Sequence, residues 1–350
     1  MKRFVLAVAL MCATPAFAQQ AVSIGPPKLE VQYTQFTLPN GLRVILHEDH
    51  SVPMVSVNVW YHVGSARERA GRTGFAHLFE HLMFMGSGHV KPSEFDTLLE
   101  AVGGTNNGST ETDRTNYWIN VPSNALELAL FLESDRMGYL LDTMTPQTVD
   151  AQRDVVKNER RQSYENRPYG MAEIALPEML YPEGHPYHWP VIGYMPDLTA
   201  ASYDDVVAFF KKYYAPSNAS LVVAGDLDPA ATRKIVEKWF SDVKPGAAVE
   251  PPTIPGVALT GVQKKTITDS VQLPRLYVAW LTPDISSRVM PHSMSWPTSL
   301  LAARTHGSIS GWSMTCRSHK ASALFRLPAV WRRISRSKSL RDRAIHSTRC

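Results

Sequence analysis

The sequence predicts an α+β fold in which helices pack on an antiparallel sheet to form a two-layer domain. Three observations support this prediction: alternating segments around a turn near residue 40, amphipathic helical segments in the middle of the chain, and a buried strand near residue 220 followed by another helix. Strands and helices in this order indicate an α+β layer domain. We expect the domain to span residues 30–244.

The first strands are predicted from alternation and turn chemistry. Pro39-Asn40-Gly41 is typical of a hairpin turn, because asparagine and glycine tolerate the backbone angles that such turns need. A polar loop, residues 64–74, then leads into an apolar helix for which Thr73 is the expected N-cap. The strands predicted in this part are 31–38, 42–48 and 55–63.

The middle of the chain alternates between helical and strand patterns. Ser93 and Pro146 are typical of helix starts, and Gly103-Gly104 is typical of a helix end. Residues 182–196 are interpreted as a loop. Helices are predicted at 93–99, 124–141, 146–166, 170–180, 202–213 and 229–240, a polar strand pair at 105–122, and a buried strand at 219–224.

The apolar helix from Phe75 to Met85 contains His77, Glu80 and His81. Histidines four residues apart project from the same helix face, which suits two imidazoles binding one metal ion. A carboxylate beside them can take a proton from water without being a ligand. The order H-x-x-E-H is the signature of inverzincin metallopeptidases. The alternative is a core helix with two hydrogen-bonded histidines, although burying such groups unpaired is unfavourable.

Charge and cysteine content restrict the possible classes of protein. Residues 285–350 contain 12 basic residues and one acidic residue, whereas the remainder has 24 basic and 31 acidic residues. The overall positive charge therefore comes from this tail, and no aromatic pattern typical of nucleic-acid binding accompanies it. No cysteine occurs between Cys12 and Cys316, so the body of the protein is not expected to depend on disulfides.

The first 18 residues are predicted to be a secretory signal peptide. Lys2 and Arg3 precede an apolar run that ends at Ala16-Phe17-Ala18, which is a small-x-small cleavage pattern. This run is too short to span a bilayer, and no later segment approaches about 18 consecutive apolar residues. The sequence therefore predicts an exported protein, periplasmic or secreted, without a membrane span.

Beyond residue 244 the sequence predicts a linker and an incomplete second unit. Residues 245–263 are rich in proline, glycine and alanine, and residues 264–284 begin a second domain with strand-like alternation. Residues 285–350 are interpreted as an atypical basic tail without sustained periodicity. One hypothesis is an out-of-frame translation that starts near residues 283–288; the alternative is a genuine lineage-specific tail.

Five segments stand in order along the chain: PNGLRVILHEDHSVPMVSVNVWYHVGSARE, GFAHLFEHLMFMGS, GGTNNGSTETDRTNYW, RDVVKNERRQSYENRPYG and LVVAGDLDP. Together they resemble the pitrilysin/insulinase family of zinc peptidases, in particular its bacterial branch that is similar to mitochondrial processing peptidase. The resemblance extends over residues 33–283. It implies an insulinase-like two-layer domain and a second domain of the same type, of which this chain has the beginning.

The resemblance implies that His77 and His81 bind one zinc ion per chain, that Glu80 is the general base, and that Glu159 is the third ligand. Two neutral imidazoles and one carboxylate leave a position for a water molecule, whose pKa falls to about 7 on zinc. Glu80 would take its proton and pass it to the leaving amine. Taken alone, Glu159 could equally be an ordinary solvated carboxylate.

The resemblance also points to positions around these ligands. Glu165 is a candidate for supporting a ligand side chain. Many relatives carry a glutamate where this chain has Gln152, so a carboxylate hydrogen bond to a ligand histidine is expected to be weaker or absent. The edge strand that binds extended peptides in the family corresponds to Asn107, Gly108, Ser109 and Thr110, for which the alternative is an ordinary polar hairpin.

These features predict an exported zinc metalloendopeptidase that hydrolyses peptides or unfolded polypeptides. Because family members enclose the substrate between two halves, a second peptidase-like subunit, in a homodimer or heterodimer, is the expected partner. The alternative is a noncatalytic subunit or peptide-binding scaffold that still binds zinc. Nucleic acid is not an expected partner.

Overall fold

A computed structural model describes residues 30–282, and the backbone of two strands at 313–317 and 322–327. The predicted signal peptide, residues 1–18, lies outside the described residues, as does most of the predicted tail at 285–350. In the described part, no helix combines the length and the apolar character that crossing a membrane requires.

The first domain contains a six-stranded sheet in the order β1-β2-β6-β3-β5-β4. Its strands are β1 (Thr34–Thr37), β2 (Arg43–Glu48), β3 (Met54–Tyr61), β4 (Thr105–Thr110), β5 (Thr115–Pro122) and β6 (Ala219–Gly225). The predicted α+β class is confirmed, with helices packed on this sheet. One detail is corrected, because β2 and β6 pair in parallel and make the sheet mixed. The long connection between these two strands allows the chain to return in the same direction.

Eight helices are present in the described residues. They are α1 (Phe75–Leu82), α2 (Glu94–Ala101), α3 (Leu126–Tyr139), α4 (Pro146–Arg160), α5 (Met171–Leu180), α6 (Met195–Ala200), α7 (Tyr203–Tyr213) and α8 (Pro229–Phe240). The short helix α6 lies at and beyond the end of the segment that was predicted to be a loop. A π-helical turn, Arg161–Glu165, continues α4 directly.

One hydrophobic core lies between the sheet and the helices. In β3, Val55, Val57, Val59 and Tyr61 are buried and alternate with half-buried residues, as expected for a strand with one face on a core. Helices α1 and α3 contact the neighbouring strand β5, whose buried side chains continue the same layer. The core therefore holds α1 firmly against the sheet.

The chain after the first domain contains no helix or strand over residues 245–263, where a linker was predicted. Strand β7 (Leu276–Leu281) then forms a three-stranded antiparallel sheet, in the order β7-β9-β8, with β8 (Ser313–Arg317) and β9 (Ser322–Leu327). The predicted strand at 276–281 is therefore present, and two strands occur in a segment for which the sequence predicted no sustained period.

Candidate metal centre

Helix α1 places two histidines and a glutamate on one side of an apolar helix. Its buried residues are Phe75, Ala76, Leu78, Phe79 and Leu82, which pack into the core. His77 and His81 are one turn apart on the remaining surface, and their ring centroids lie 4.9 Å from each other. Packing of the apolar side therefore turns both imidazoles toward α4.

The start of α1 differs from the prediction. The N-cap is Gly74, with φ +89°, and Thr73 does not cap the helix. Instead, the backbone N–H groups of Gly74 and Ala76 donate to the carboxylate of Glu68, each at 2.8 Å. The Thr73 hydroxyl donates to Asp197 at 2.7 Å, because this loop is folded against the α6 region. The Glu68 oxygens thereby provide acceptors for N–H groups that the first turn of a helix leaves without an intrahelical partner.

Helix α4 supplies the third side chain of the group. It begins at Pro146, with the Thr145 side chain accepting a hydrogen bond from the Thr148 N–H at 3.1 Å, and Glu159 lies in its last turn. Glu159 Oε2 lies 3.2 Å from His81 Nε2 and 3.7 Å from His77 Nε2. The three side chains therefore converge, as the resemblance predicted for zinc ligands.

The geometry and the chemistry of these three groups fit a zinc ion. In a tetrahedral site with bonds of about 2.1 Å, two ligand atoms lie about 3.4 Å apart, which is close to both distances from Glu159. In the described residues, His77, His81 and Glu159 form the group of potential ligand atoms that lie within 4.8 Å of one another. Two nitrogens and one carboxylate oxygen are a ligand set that catalytic zinc sites use.

The protonation states of the group also suit a cation. Burial lowers the pKa of His77 to about 4, so its imidazole is neutral near pH 7 and has a lone pair available. The hydrogen bond with His81 lowers the pKa of Glu159, which favours the carboxylate. His77 Nδ1 is buried without a hydrogen-bond partner in the described part of the chain. Gln152, at the position where many relatives carry a glutamate, donates its hydrogen bond to Met85 Sδ at 3.0 Å.

Glu80 lies between the two histidines and the sheet. The Thr110 hydroxyl donates to Glu80 Oε2 at 2.7 Å. Burial raises the pKa of Glu80, and this hydrogen bond opposes the rise. A higher pKa makes a carboxylate a better proton acceptor near neutral pH. Sequence analysis assigned Thr110 to peptide binding, and the structure shows that its hydroxyl contacts Glu80.

Strand β4 passes beside Glu80 and is the last strand of the sheet. It pairs with β5 along one edge only, so its other edge is free in the described structure. A Cβ atom on Gly108 would lie 3.0 Å from Glu80 Cγ, so the absence of a side chain lets the strand approach. The Asn107 side chain accepts a bond from Gly108 N–H, and Ser109 Oγ donates to Asn116 at 2.8 Å.

Glu165 does not contact either histidine. It lies in the π-helical turn and accepts a hydrogen bond at 3.1 Å from Nε of Arg160, the residue that follows Glu159. Arg160 and Glu68 could not be identified as functional residues from the sequence, because a single arginine or glutamate has no local pattern that distinguishes it from a solvated side chain. Only the folded chain shows their contacts to the two helices.

Comparison with known proteins identifies two family profiles in the sequence. Residues 43–185 match the profile described as insulinase (peptidase family M16), and residues 200–304 match the profile described as the peptidase M16 inactive domain. The first match includes all the residues that converge around Glu159. The second begins in α6 and extends past the linker.

Curated relatives are similar over the same part of the chain. The zinc protease PqqE of Helicobacter pylori is 34% identical over 214 residues, which are 61% of this chain and 48% of PqqE. The uncharacterized zinc protease YmxG of Bacillus subtilis is 27% identical over 206 residues, 59% of this chain and 49% of YmxG. This chain spans about half the length of the curated relatives it matches.

Solved structures share the architecture. A protease from Helicobacter pylori superposes with a TM-score of 0.74 at 27% identity, covering 85% of this chain and 75% of that protein. The periplasmic protease PqqL of Escherichia coli superposes with a TM-score of 0.71 at 20% identity, covering 86% of this chain and 36% of PqqL. The second similarity shows a common fold.

Proposed function

This chain belongs to the insulinase family of peptidases (peptidase family M16), and we propose that it is an exported zinc-dependent metalloendopeptidase. One observation supports the proposal above all others. His77 and His81 on α1 and Glu159 on α4 converge to within ligand distances of a shared ion, and Glu80 lies beside them with the hydroxyl of Thr110 on one oxygen.

In the proposed mechanism, His77, His81 and Glu159 would hold one zinc ion. Zinc bound there supplies a Lewis acid that polarises the scissile carbonyl and makes a water molecule more acidic. Glu80 takes the proton of the attacking water, and its raised pKa favours this transfer. Glu80 then gives the proton to the leaving amine. Thr110 holds the carboxylate in one orientation during both transfers.

The proposed substrate is an extended peptide or an unfolded segment of a polypeptide. Such a segment can add to the free edge of β4 through backbone hydrogen bonds, which do not depend on its sequence. Because Gly108 has no side chain, a peptide bond on this edge can lie next to Glu80. Asn107, Ser109 and Thr110 are the neighbouring positions that would contact it.

Export and a second peptidase-like subunit are parts of the same proposal. The predicted signal peptide supports export, and the structurally similar PqqL is described as periplasmic. A partner subunit is proposed because members of the family that the sequence resembles enclose the substrate between two halves, and the proposed zinc ligands all lie in the first domain. The partner could be a second copy or a related chain.

The second candidate function is a noncatalytic, zinc-binding subunit. The observation that favours it is the basic composition of residues 285–350, of which residues 305–350 lie beyond the match to the inactive-domain profile. In that case the chain would bind zinc and peptides without hydrolysing them.

Zinc content and the cleavage of a quenched fluorescent peptide separate the two functions. We expect zinc in the wild type, in Glu80→Gln and in the control Glu100→Gln, which changes an exposed glutamate of α2, and we expect cleavage in the wild type and in the control. Glu80→Gln should lose activity, because a neutral amide cannot accept the proton. Equal turnover by wild type and Glu80→Gln would exclude the proposed base. Zinc binding without turnover in the wild type, also after addition of a partner, would support the noncatalytic subunit.

A further inference from the structure

Arg160 is a buried cation directly after the proposed ligand Glu159. It is 6% exposed, and its Nη1 donates to the carbonyl oxygen of Gly193 at 2.5 Å. Its Nε donates to Glu165 at 3.1 Å. A guanidinium group can hold a carbonyl and a carboxylate at once because its donors are fixed in a planar fork. Helix α4 is therefore tied at its last turn to the segment before α6.

The same segment contacts the start of α1. Gly193 has φ +75° and packs on Gly74, which has φ +89°. A Cβ atom on Gly193 would lie only 2.5 Å from Gly74 Cα, so the two backbones are closer together than a side chain on Gly193 would allow. Gly74 immediately precedes α1, so the backbone of Gly193 touches the beginning of the helix that carries both histidines.

Hydrogen bonds of Thr73 also join the start of α1 to the segment that contains Gly193. Tyr194 N–H donates to the Thr73 hydroxyl at 2.9 Å, and the same hydroxyl donates to Asp197 at 2.7 Å. Thr73 N–H also donates to Asp197 at 3.1 Å. Residues 193–197 therefore hold the start of α1 through backbone packing and three hydrogen bonds.

The π-helical turn explains why the Glu165 side chain can accept a hydrogen bond from Arg160. In a π-helix the hydrogen bond joins residues five apart, as the Asn166 N–H does with the Arg161 carbonyl at 2.7 Å. Residues five apart then lie on nearly the same side of the helix. Glu165 is consequently close enough to Arg160 to accept a hydrogen bond from its Nε, while Nη1 of the same guanidinium group donates to Gly193.

We propose that Arg160, through Gly193, is a positioning residue that sets the distance between Glu159 and the two histidines. The inference rests on the proposed zinc site, because it assigns a role toward that metal. The connection runs from Glu159 to Arg160, to the carbonyl of Gly193, and to Gly74 at the start of α1. Nothing in it contacts the metal, so its effect is on the spacing of the ligands.

Arg153 offers a matched control on the same helix. It lies two turns before Arg160 and also donates to a backbone carbonyl, that of Ala201, and to a carboxylate, that of Asp150. Its tie leads to the end of α6 and not to α1. If arginine ties merely stabilise α4, the loss of either arginine should have the same consequence for zinc.

The test compares zinc affinity, measured by competition with a chelator, with the unfolding free energy of the zinc-free protein. We expect Arg160→Gln to weaken zinc binding about 10- to 100-fold, as loss of residues that support metal ligands does. Arg153→Gln should stay within about twofold of the wild type. Gly193→Ala should resemble Arg160→Gln, because its added methyl group would push the segment away from Gly74.

Arg160→Lys and cobalt spectra keep the test decisive if Arg160→Gln does not fold. Lysine retains the charge but cannot form the fork, so we expect weakened zinc binding and a changed visible spectrum of bound Co²⁺. Wild-type affinity in both Arg160→Lys and Gly193→Ala, or equal losses in the Arg153 and Arg160 variants, would overturn the inference. If wild type and His81→Ala bind zinc equally, the proposed zinc site itself is wrong.

Discussion

Helices α1 and α4 provide the side chains of the proposed metal centre, but they are held in place in different ways. In α1, five of eight residues are buried, and apolar packing orients the histidines. In α4, three of fifteen residues are buried, and one of these is Arg160. The position of His77 and His81 is therefore set by the core, whereas that of Glu159 depends on the polar contacts of its buried neighbour Arg160.

The starts of the two helices also differ, because one helix is capped by the adjacent residue and the other by a side chain more distant along the chain. Helix α4 is capped by its own neighbour, Thr145, followed by Pro146. Helix α1 starts at a glycine and takes its cap from Glu68, six residues away. The proposed site therefore combines a rigid half, α1, which is buried in the core, with a second half, α4, whose geometry depends on a few hydrogen bonds.

The largest expected effect is on stability and distinguishes the packing of the two helices. Phe79 is fully buried and stacks on Phe209, with ring centroids 5.6 Å apart. Phe79→Ala should lower the free energy of unfolding by about 3–5 kcal/mol. Val155→Ala, at an exposed position of α4, should cost less than about 0.5 kcal/mol. Urea denaturation of the two variants measures both, and equal costs would contradict the difference in packing.

The next effect tests how closely the edge strand approaches α1. Gly108→Val would place a branched side chain against Glu80 Cγ, where even a Cβ would be at 3.0 Å. We expect kcat to fall about 100-fold, since displacements of about 1 Å in an active site have effects of that size. Zinc content should be unchanged. Thr105→Val, at an exposed position of the same strand, is the control, and a normal kcat in Gly108→Val would refute the contact.

A smaller effect is expected at the hydrogen bond between the strand and the base. Thr110→Val removes the hydroxyl and keeps the shape, so kcat should fall about tenfold, which corresponds to about 1.4 kcal/mol. KM and zinc affinity should change little, and Thr110→Ser should restore most of the rate. If the loss were in KM alone, the hydroxyl would bind peptide, as the sequence predicted, and not orient Glu80.

The smallest effect at a single pH is the loss of the cap of α4, and the cap of α1 adds a dependence on pH. Thr145→Ala should cost about 1 kcal/mol at any pH between 5 and 8. Burial raises the pKa of Glu68 to about 8, above its ordinary value of 4.5, so its protonated form is favoured in the folded state. The contribution of Glu68 to the stability of the wild type is therefore complete below pH 4.5. It is lost as the pH rises from 4.5 through about 8.

Glu68→Gln cannot ionise, so its stability relative to the wild type should rise over that window. Thermal unfolding of both proteins between pH 5 and pH 8 measures the difference. A difference that does not change with pH would mean that Glu68 keeps its ordinary pKa, with its two backbone donors outweighing burial.

Much of the rigid half of the site could be predicted from sequence. The spacing of His77, Glu80 and His81 in an apolar run defines a helix face, and alternation predicts β3 and β7. The cap of α1 was predicted wrongly, because Thr73 is a good local cap but its hydroxyl is used by Asp197. The parallel pairing of β2 and β6 was also missed, since strand order depends on contacts that are remote in sequence.

The sequence by itself determined which helix presents two imidazoles and a carboxylate, because helical periodicity is a local property of neighbouring residues. Its resemblance to a family pointed to Glu159 as their partner. Only the tertiary structure decided that Glu159 reaches the histidines, that Thr110 touches Glu80, and that Arg160 is connected to α1 through Gly193. These contacts join residues 30 to more than 100 positions apart, so they exist only once the core has brought the segments together.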